Sequence, residues 1–345
     1  MYQRFYSLKE NPFRLTPDPA FMCMTAQHQE ALSGLIYSVC TRPGLTVLMG
    51  EAGTGKTTLL YSLLGLLEKR RFVTAMCNNP TLTRQEFYDL LIMKFGVDCS
   101  SSLKSRQLVA LEEMFHRNRA DERPAVLIVD EAQRLSPELL EEIRLLLNVE
   151  TPREKLLQII IAGQPELWEV LRRPELRQLK QRVSCVCRLK PLSLEELHEY
   201  LHHRLTRAGL ESPQTLFPDT TVRLIYEYTQ GIPRLVNSLC DSALQTGFAL
   251  QAARITPAII EEAAKDLDLV QSGEPAEDAL VDLERSLASG HAGTQEMPPL
   301  PVRISVAGAN GKKKNGTMDS PVPVEASNNR QKNVSFFANL IDRWK

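Results

Sequence analysis

No run of this sequence approaches 18 apolar residues, so no segment is predicted to cross a membrane as a helix. The opening Met1-Tyr2-Gln3-Arg4-Phe5-Tyr6 lacks the apolar centre of a signal peptide. The seven cysteines contain no Cys-x-x-Cys pair, and their odd number and scatter suit free thiols in a reducing, cytoplasmic setting. Cys185 and Cys187 stand two apart in a predicted strand, which puts them on one face as packing residues, and a zinc site would need two further ligands. An excess of either charge is also missing: 41 Lys+Arg nearly cancel 42 Asp+Glu. That balance excludes a bulk electrostatic footprint for nucleic acid, though not a local basic patch.

What is present centres on Gly50-Glu51-Ala52-Gly53-Thr54-Gly55-Lys56-Thr57-Thr58, which fits G-x-x-x-x-G-K-[ST]. Glycines allow a turn tight enough for successive N–H groups to point inward at phosphate oxygens. Lys56 can reach β- and γ-phosphates, and the Thr57 hydroxyl can ligate Mg²⁺. The pattern alone also fits a plain glycine-rich turn, so its flanks decide. Residues 45–49 read as a short buried strand and residues 57–64 as a helix whose N-terminus faces the anion. A triphosphate with Mg²⁺ is the expected ligand.

Four more strands follow, at 72–77, 125–129, 156–164 and 183–189, with helices between them. Near-continuous apolar strands alternating with helices predict an α/β fold, a five-stranded parallel sheet covered on both faces. From Pro191 strand signals stop, and 193–208, 218–229, 233–253 and 256–269 read as four helices of a small all-α domain. The expected organisation is an extended, proline-stiffened leader over 1–24, a nucleotide-binding domain over 25–190 and a helical lid over 191–269. A disordered tail over 270–333 follows, then a short amphipathic helix over 334–345. In that last segment Phe337, Leu340, Ile341 and Trp344 follow helical spacing and suit a docking peptide, for a partner or for the chain's own domain.

The strand at 125–129 ends in Asp130-Glu131. Hydrolysis needs one carboxylate near the metal and one that polarises the attacking water. Asp130 is assigned the metal role, with Thr57, and Glu131 the base. An Asp-Glu pair opening a surface loop is the plainer alternative. His198-Glu199-Tyr200-Leu201-His202 matches H-E-x-x-H, a zinc-protease pattern. Its extended form needs Gly at 205 and His at 208, where the chain has Leu205 and Ala208. The segment therefore reads as the first lid helix.

Together these residues resemble an AAA+ ATPase, and in detail the ExeA/GspA (general secretion pathway A) family. That family is related to the MuB/TnsC transposition ATPases and more distantly to Orc/Cdc6 initiators. The resemblance rests on Asn11-Pro12-Phe13, Pro17-Asp18-Pro19, His28 with Glu30-Ala31-Leu32, Gly50 to Thr58 and Val129 to Gln133. It continues through Ala162-Gly163-Gln164-Pro165-Glu166-Leu167, Leu176 to Val183, Pro191-Leu192 and Gly231-Ile232-Pro233-Arg234, covering about 1–268. It implies that Gln164 is the sensor-1 residue and that Arg234 is sensor 2, reaching the nucleotide from the lid. A guanidinium suits that role because it is planar, permanently charged and bidentate toward phosphate. The resemblance also implies an arginine finger, Arg182 or Arg177, acting on a neighbouring subunit's ATP, hence a homo-oligomer. Asn78 or Asn79 is placed to restrain Glu131, although turn chemistry before Pro80 explains them equally well. The implied activity is ATP hydrolysis driving conformational change, with a secretion or export machinery as partner. The alternatives are an ATP-dependent DNA-binding regulator, with Lys69-Arg70-Arg71, Arg84 and Lys312 to Lys314 supplying phosphate contacts, and a nucleotide switch with little turnover.

Overall fold

Alternation along the strands decides the layering. In β1 (Leu45–Gly50) Val47 points to one side of the sheet and Leu48 to the other. The computed structural model describes residues 1–78 and 81–270; the tail and the C-terminal amphipathic segment expected from the sequence lie outside the described residues. The first elements are a helical turn α1 (Tyr2–Phe5) and α2 (Ala26–Thr41), and β1 is followed by α3 (Lys56–Lys69) and β2 (Val73–Cys77). Helices α4 (Arg84–Phe95) and α5 (Lys104–Ala120) precede β3 (Ala125–Val129), and α6 (Pro137–Leu146) precedes β4 (Leu157–Gly163). Short helices α7 (Glu166–Leu171) and α8 (Arg177–Lys180) lead to β5 (Val183–Leu189).

The five strands form one parallel sheet in the order β2-β3-β4-β1-β5. Leu127, Val129, Ile159 and Ile161 join Val47 in a core beneath α4–α8, while Val126, Ile128, Ile160 and Ala162 join Leu48 beneath α2 and α3. Strands buried on both faces must be apolar throughout, which is why β1, β3 and β4 carry almost no polar residues. The connections leave in opposite senses on the two sides of the β1/β4 pair: the one from β1 runs to β2 at one edge, while the one from β4 passes over β1 to β5 at the other. A crevice at the carboxyl ends of the strands is the consequence of such a switch.

Local signals hold where their chemistry is complete. Thr83 and Glu86 form the reciprocal capping box that starts α4, and the Ser136 hydroxyl caps α6 with Pro137 in its first turn. Cys185 and Cys187 do share a face, with sulfurs 3.9 Å apart, packed where Gly34 of α2 leaves room for them.

The helical subdomain comprises α9 (Leu194–Arg207), a turn α10 (Pro213–Leu216), α11 (Asp219–Thr229), α12 (Pro233–Ala249) and α13 (Pro257–Asp266). Helix α12 stops before residue 253 because Gln251 turns into the left-handed region at φ 54°. The leader differs from a uniformly extended segment. Beyond α1 it has a 3-10 turn at Pro19–Phe21, and Tyr6, Leu8, Phe13 and Phe21 sit in the core of the helical subdomain. Phe13 packs edge-to-face on Phe217 with ring centroids 6.1 Å apart, and full burial of such a ring contributes about 2–3 kcal/mol. Arg204 of α9 fastens the leader by donating from Nε to the Pro12 carbonyl at 2.5 Å, its guanidinium lying against the Phe21 and Tyr200 rings. Such contacts arise between segments nearly two hundred residues apart, so local composition gives no sign of them.

Gly231, at the turn between α11 and α12, has φ +70°, and a Cβ there would lie 2.0 Å from the Leu192 carbonyl oxygen. Its own carbonyl accepts the Leu192 N–H at 2.8 Å. Gly231→Ala should therefore destabilise the protein by about 2–4 kcal/mol, combining backbone strain with a clash against backbone that cannot yield. Chemical denaturation followed by circular dichroism would report the lowered midpoint.

Candidate nucleotide site

The phosphate loop leaves β1 at Gly50 and enters α3 at Lys56. Gly53 and Gly55 take φ +80° and +95°, conformations costly for any other residue. Gly50 is fixed by space: a Cβ would lie 2.7 Å from the Thr54 hydroxyl and 2.8 Å from the Leu189 carbonyl oxygen. Helix α3 begins with no side-chain cap. Its first N–H groups thus lack intrahelical acceptors at the positive end of the dipole, the arrangement that receives an anion.

Lys56 is buried, and its ammonium donates to the carbonyls of Gly50 at 2.7 Å and Glu51 at 2.9 Å. Burial holds its pKa below that of a free lysine, opposed by the carboxylates of Glu131, Asp130, Glu51 and Glu166. The Thr57 hydroxyl donates to Asp130 Oδ2 at 2.6 Å. Asp130 is itself buried at the end of β3, and its other oxygen accepts the Glu131 N–H at 2.9 Å. A hydroxyl and a carboxylate converging beside the loop are hard oxygen donors of the kind Mg²⁺ takes, so these residues fit the metal.

Glu131 takes φ +53° just beyond the strand, an uncommon value for a residue with a side chain. It lines a cleft of about 300 Å³ together with Gly53, Lys56, Thr57, Thr58 and Arg234. The opposite wall comes from the leader, Arg14 to Asp18, and from Tyr200, Arg204 and Asn237 of the helical subdomain. The two subdomains touch at the loop itself. The Arg234 N–H donates to the Gly53 carbonyl at 3.2 Å, and a Cβ on Gly53 would lie 2.7 Å from Arg234 Cβ.

His28 of α2 supports the loop from below. Its Nδ1 lies 2.8 Å from the Thr25 hydroxyl, and the ring hydrogen-bonds the Thr54 backbone. Burial lowers its pKa and favours the neutral ring.

Other expected residues are placed differently. Gln164 directly follows β4 next to Glu131's loop, and its backbone N–H donates to Gln133 Oε1 at 3.2 Å. Gln133 in turn donates from Nε2 to Glu131 Oε2 at 2.7 Å. Asn78 does not make the expected contact with Glu131; its amide donates to the Tyr61 hydroxyl at 3.2 Å, and Asn79 lies outside the described residues. Gln133 is the residue that sequence reasoning passed over. It follows Asp130-Glu131 by two positions, but nothing in spacing says that a 3-10 turn at Ala132–Arg134 folds it back onto Glu131. Arg177 and Arg182 are exposed and outside the cleft, with Arg182 donating to Asn148 Oδ1 at 3.1 Å. His198 faces Asp219 at 3.8 Å, and the rest of its helix buries Leu197, Leu201 and Leu205 in the subdomain core. Among the described residues no group of three His, Cys, Asp or Glu is placed to hold a metal, and no helix is long and apolar enough to cross a membrane.

The sheet order, the glycine loop opening α3 and the Asp130 contact define a P-loop nucleotide-binding protein, and residues 40–171 match the family described as AAA domain. That matched segment, which holds the phosphate loop and the Asp130-Glu131 pair, is an AAA domain. The chain is similar to General secretion pathway protein A of Aeromonas hydrophila, 37% identical over 268 residues. That match covers 77% of this chain and 48% of the relative, so the chain spans about half the length of the curated protein it matches. Among solved structures, Cdc6p from Pyrobaculum aerophilum is similar with a TM-score of 0.59 at 18% identity, covering 81% of this chain and 73% of that one. Drosophila ORC bound to DNA gives 0.60 at 17% identity, covering 77% and 65%. At such identities the likeness concerns the fold.

Proposed function

We propose that this chain binds ATP with Mg²⁺ in the cleft between its α/β layer and its helical subdomain, and hydrolyses it. The observation that carries this reading is the 2.6 Å contact between Thr57 and Asp130, with Glu131 and Lys56 lining the same cleft. Thr57 and Asp130 hold the metal. Mg²⁺ there supplies charge neutralisation at the phosphate oxygens and orients the triphosphate. Lys56 leaves the Gly50 and Glu51 carbonyls for the β- and γ-phosphates, while the N–H groups of the loop and α3 cradle them. Glu131 accepts a proton from the attacking water or orients it. Arg234 reaches the phosphates from the helical subdomain, so the closure of that subdomain over the loop is tied to what occupies the cleft. Gln164 reads the γ-phosphate side.

One arginine, Arg182 or Arg177, both exposed and away from their own cleft, serves the cleft of a neighbouring copy in a homo-oligomer. Hydrolysis then rearranges the assembly. The kinship with General secretion pathway protein A supports a role on the cytoplasmic side of a secretion or export system, through a protein partner. ATP turnover measured against protein concentration, with and without duplex DNA, tests the reading. Specific activity rising with concentration supports the trans arginine, and strong stimulation by DNA would move the biological role to a DNA transaction. No turnover under any condition would leave a nucleotide switch and sink the enzyme.

A further inference from the structure

Glu131 does not stand alone at the end of β3. Gln133 spans from its carboxylate to the end of the neighbouring strand, using both ends of one amide: Nε2 donates to Glu131 Oε2 at 2.7 Å, and Oε1 accepts the Gln164 N–H at 3.2 Å. The neighbourhood is shaped for that bridge. A Cβ on Gly163 would lie 2.6 Å from Gln133 Oε1, so the last residue of β4 must be glycine for the amide to sit there. Glu131 itself lies at φ +53°, a conformation that persists only where surrounding contacts hold it. Asn78 points instead at Tyr61, which leaves Gln133 as the described side chain that hydrogen-bonds the Glu131 carboxylate.

We infer that Gln133 is a positioning residue for hydrolysis, an amide bridge that aims the Glu131 carboxylate and ties that aim to the end of β4 at Gln164. This rests on the reading of Glu131 as the base. The physical reason is reach. A glutamate has three side-chain torsions, and an unanchored carboxylate spreads over several rotamers, whereas misplacement by about 1 Å can cost 10²-fold in rate. Because the acceptor end of the amide is held by the backbone of β4, a displacement at Gln164 is passed to Glu131 without either residue contacting the other. Gln133 does not itself line the cleft, so its substitution is expected to leave nucleotide affinity nearly unchanged.

Two near-isosteric substitutions separate the ends of the bridge. Gln133→Glu keeps an oxygen for the Gln164 N–H but puts a carboxylate against Glu131 where a donor stood. Gln133→Met removes both hydrogen bonds at similar volume. Each protein is checked for an unchanged circular dichroism spectrum and for binding of a fluorescent ADP analogue, then assayed over a range of MgATP. The expected result is a kcat about 10- to 100-fold lower in both variants, with KM and analogue affinity within about twofold of the unsubstituted protein. If Gln133→Met is slow while Gln133→Glu is normal, the amide only anchors a loop to β4 and the inference is wrong. Normal kcat in both variants also overturns it. Glu131→Gln assayed beside them keeps the two readings apart. A slow Glu131→Gln with normal Gln133 variants defeats only the bridge, whereas normal turnover in Glu131→Gln removes the base and the bridge together.

Discussion

Glu131→Gln is expected to bind MgATP as tightly as the unsubstituted protein and to hydrolyse it about 10²–10⁴-fold more slowly, the usual contribution of a positioned general base. The substitution is nearly isosteric and removes only the carboxylate's ability to take a proton. Binding should survive because Lys56, Thr57, Gly53 and Gly55, which line the cleft and are the proposed phosphate contacts, are untouched. The neighbouring geometry should survive too, since Gln133 Nε2 can donate to an amide oxygen as it does to the carboxylate. Stopped turnover with retained binding would be measured by phosphate release beside titration with a fluorescent ATP analogue. Phosphate release at the normal rate would mean that another group activates the water.

Lys56→Ala should weaken nucleotide binding by about 10- to 150-fold, the worth of a hydrogen-bonded charge toward phosphate. Two effects add here. The β- and γ-phosphates lose their buried cation, whose pKa burial lowers against the opposing pull of four carboxylates. The loop also loses its internal clamp, since the ammonium bridges the Gly50 and Glu51 carbonyls at 2.7 and 2.9 Å. The alanine protein should therefore show little rise in melting temperature on adding MgATP, a rise that otherwise follows from ligand binding only the folded state. A full thermal shift in Lys56→Ala would show that the nucleotide binds elsewhere.

These two residues could be found by reading the chain, and the reason lies in how local their chemistry is. A phosphate loop must turn within nine residues and then start a helix, so Gly50, Gly53, Gly55, Lys56 and Thr57 have to be neighbours in sequence. A buried parallel strand must be apolar to its end, so Val126 to Val129 announce the position of Asp130 and Glu131. Helix starts such as Thr83 with Glu86 are equally local.

Contacts between distant segments followed no such rule. That the leader belongs with the helical subdomain depends on Phe13 meeting Phe217 and on Arg204 meeting the Pro12 carbonyl. That Asn78 turns to Tyr61 while Gln133 takes hold of Glu131 depends on the path of a 3-10 turn beside β4 and on the space left by Gly163. Sequence by itself determined the sheet, the phosphate loop and the two carboxylates, because each is encoded by residues a few positions apart. Tertiary structure alone decided what closes the cleft and what holds the carboxylate, because hydrogen bonds and packing across more than two strands carry no periodicity along the chain.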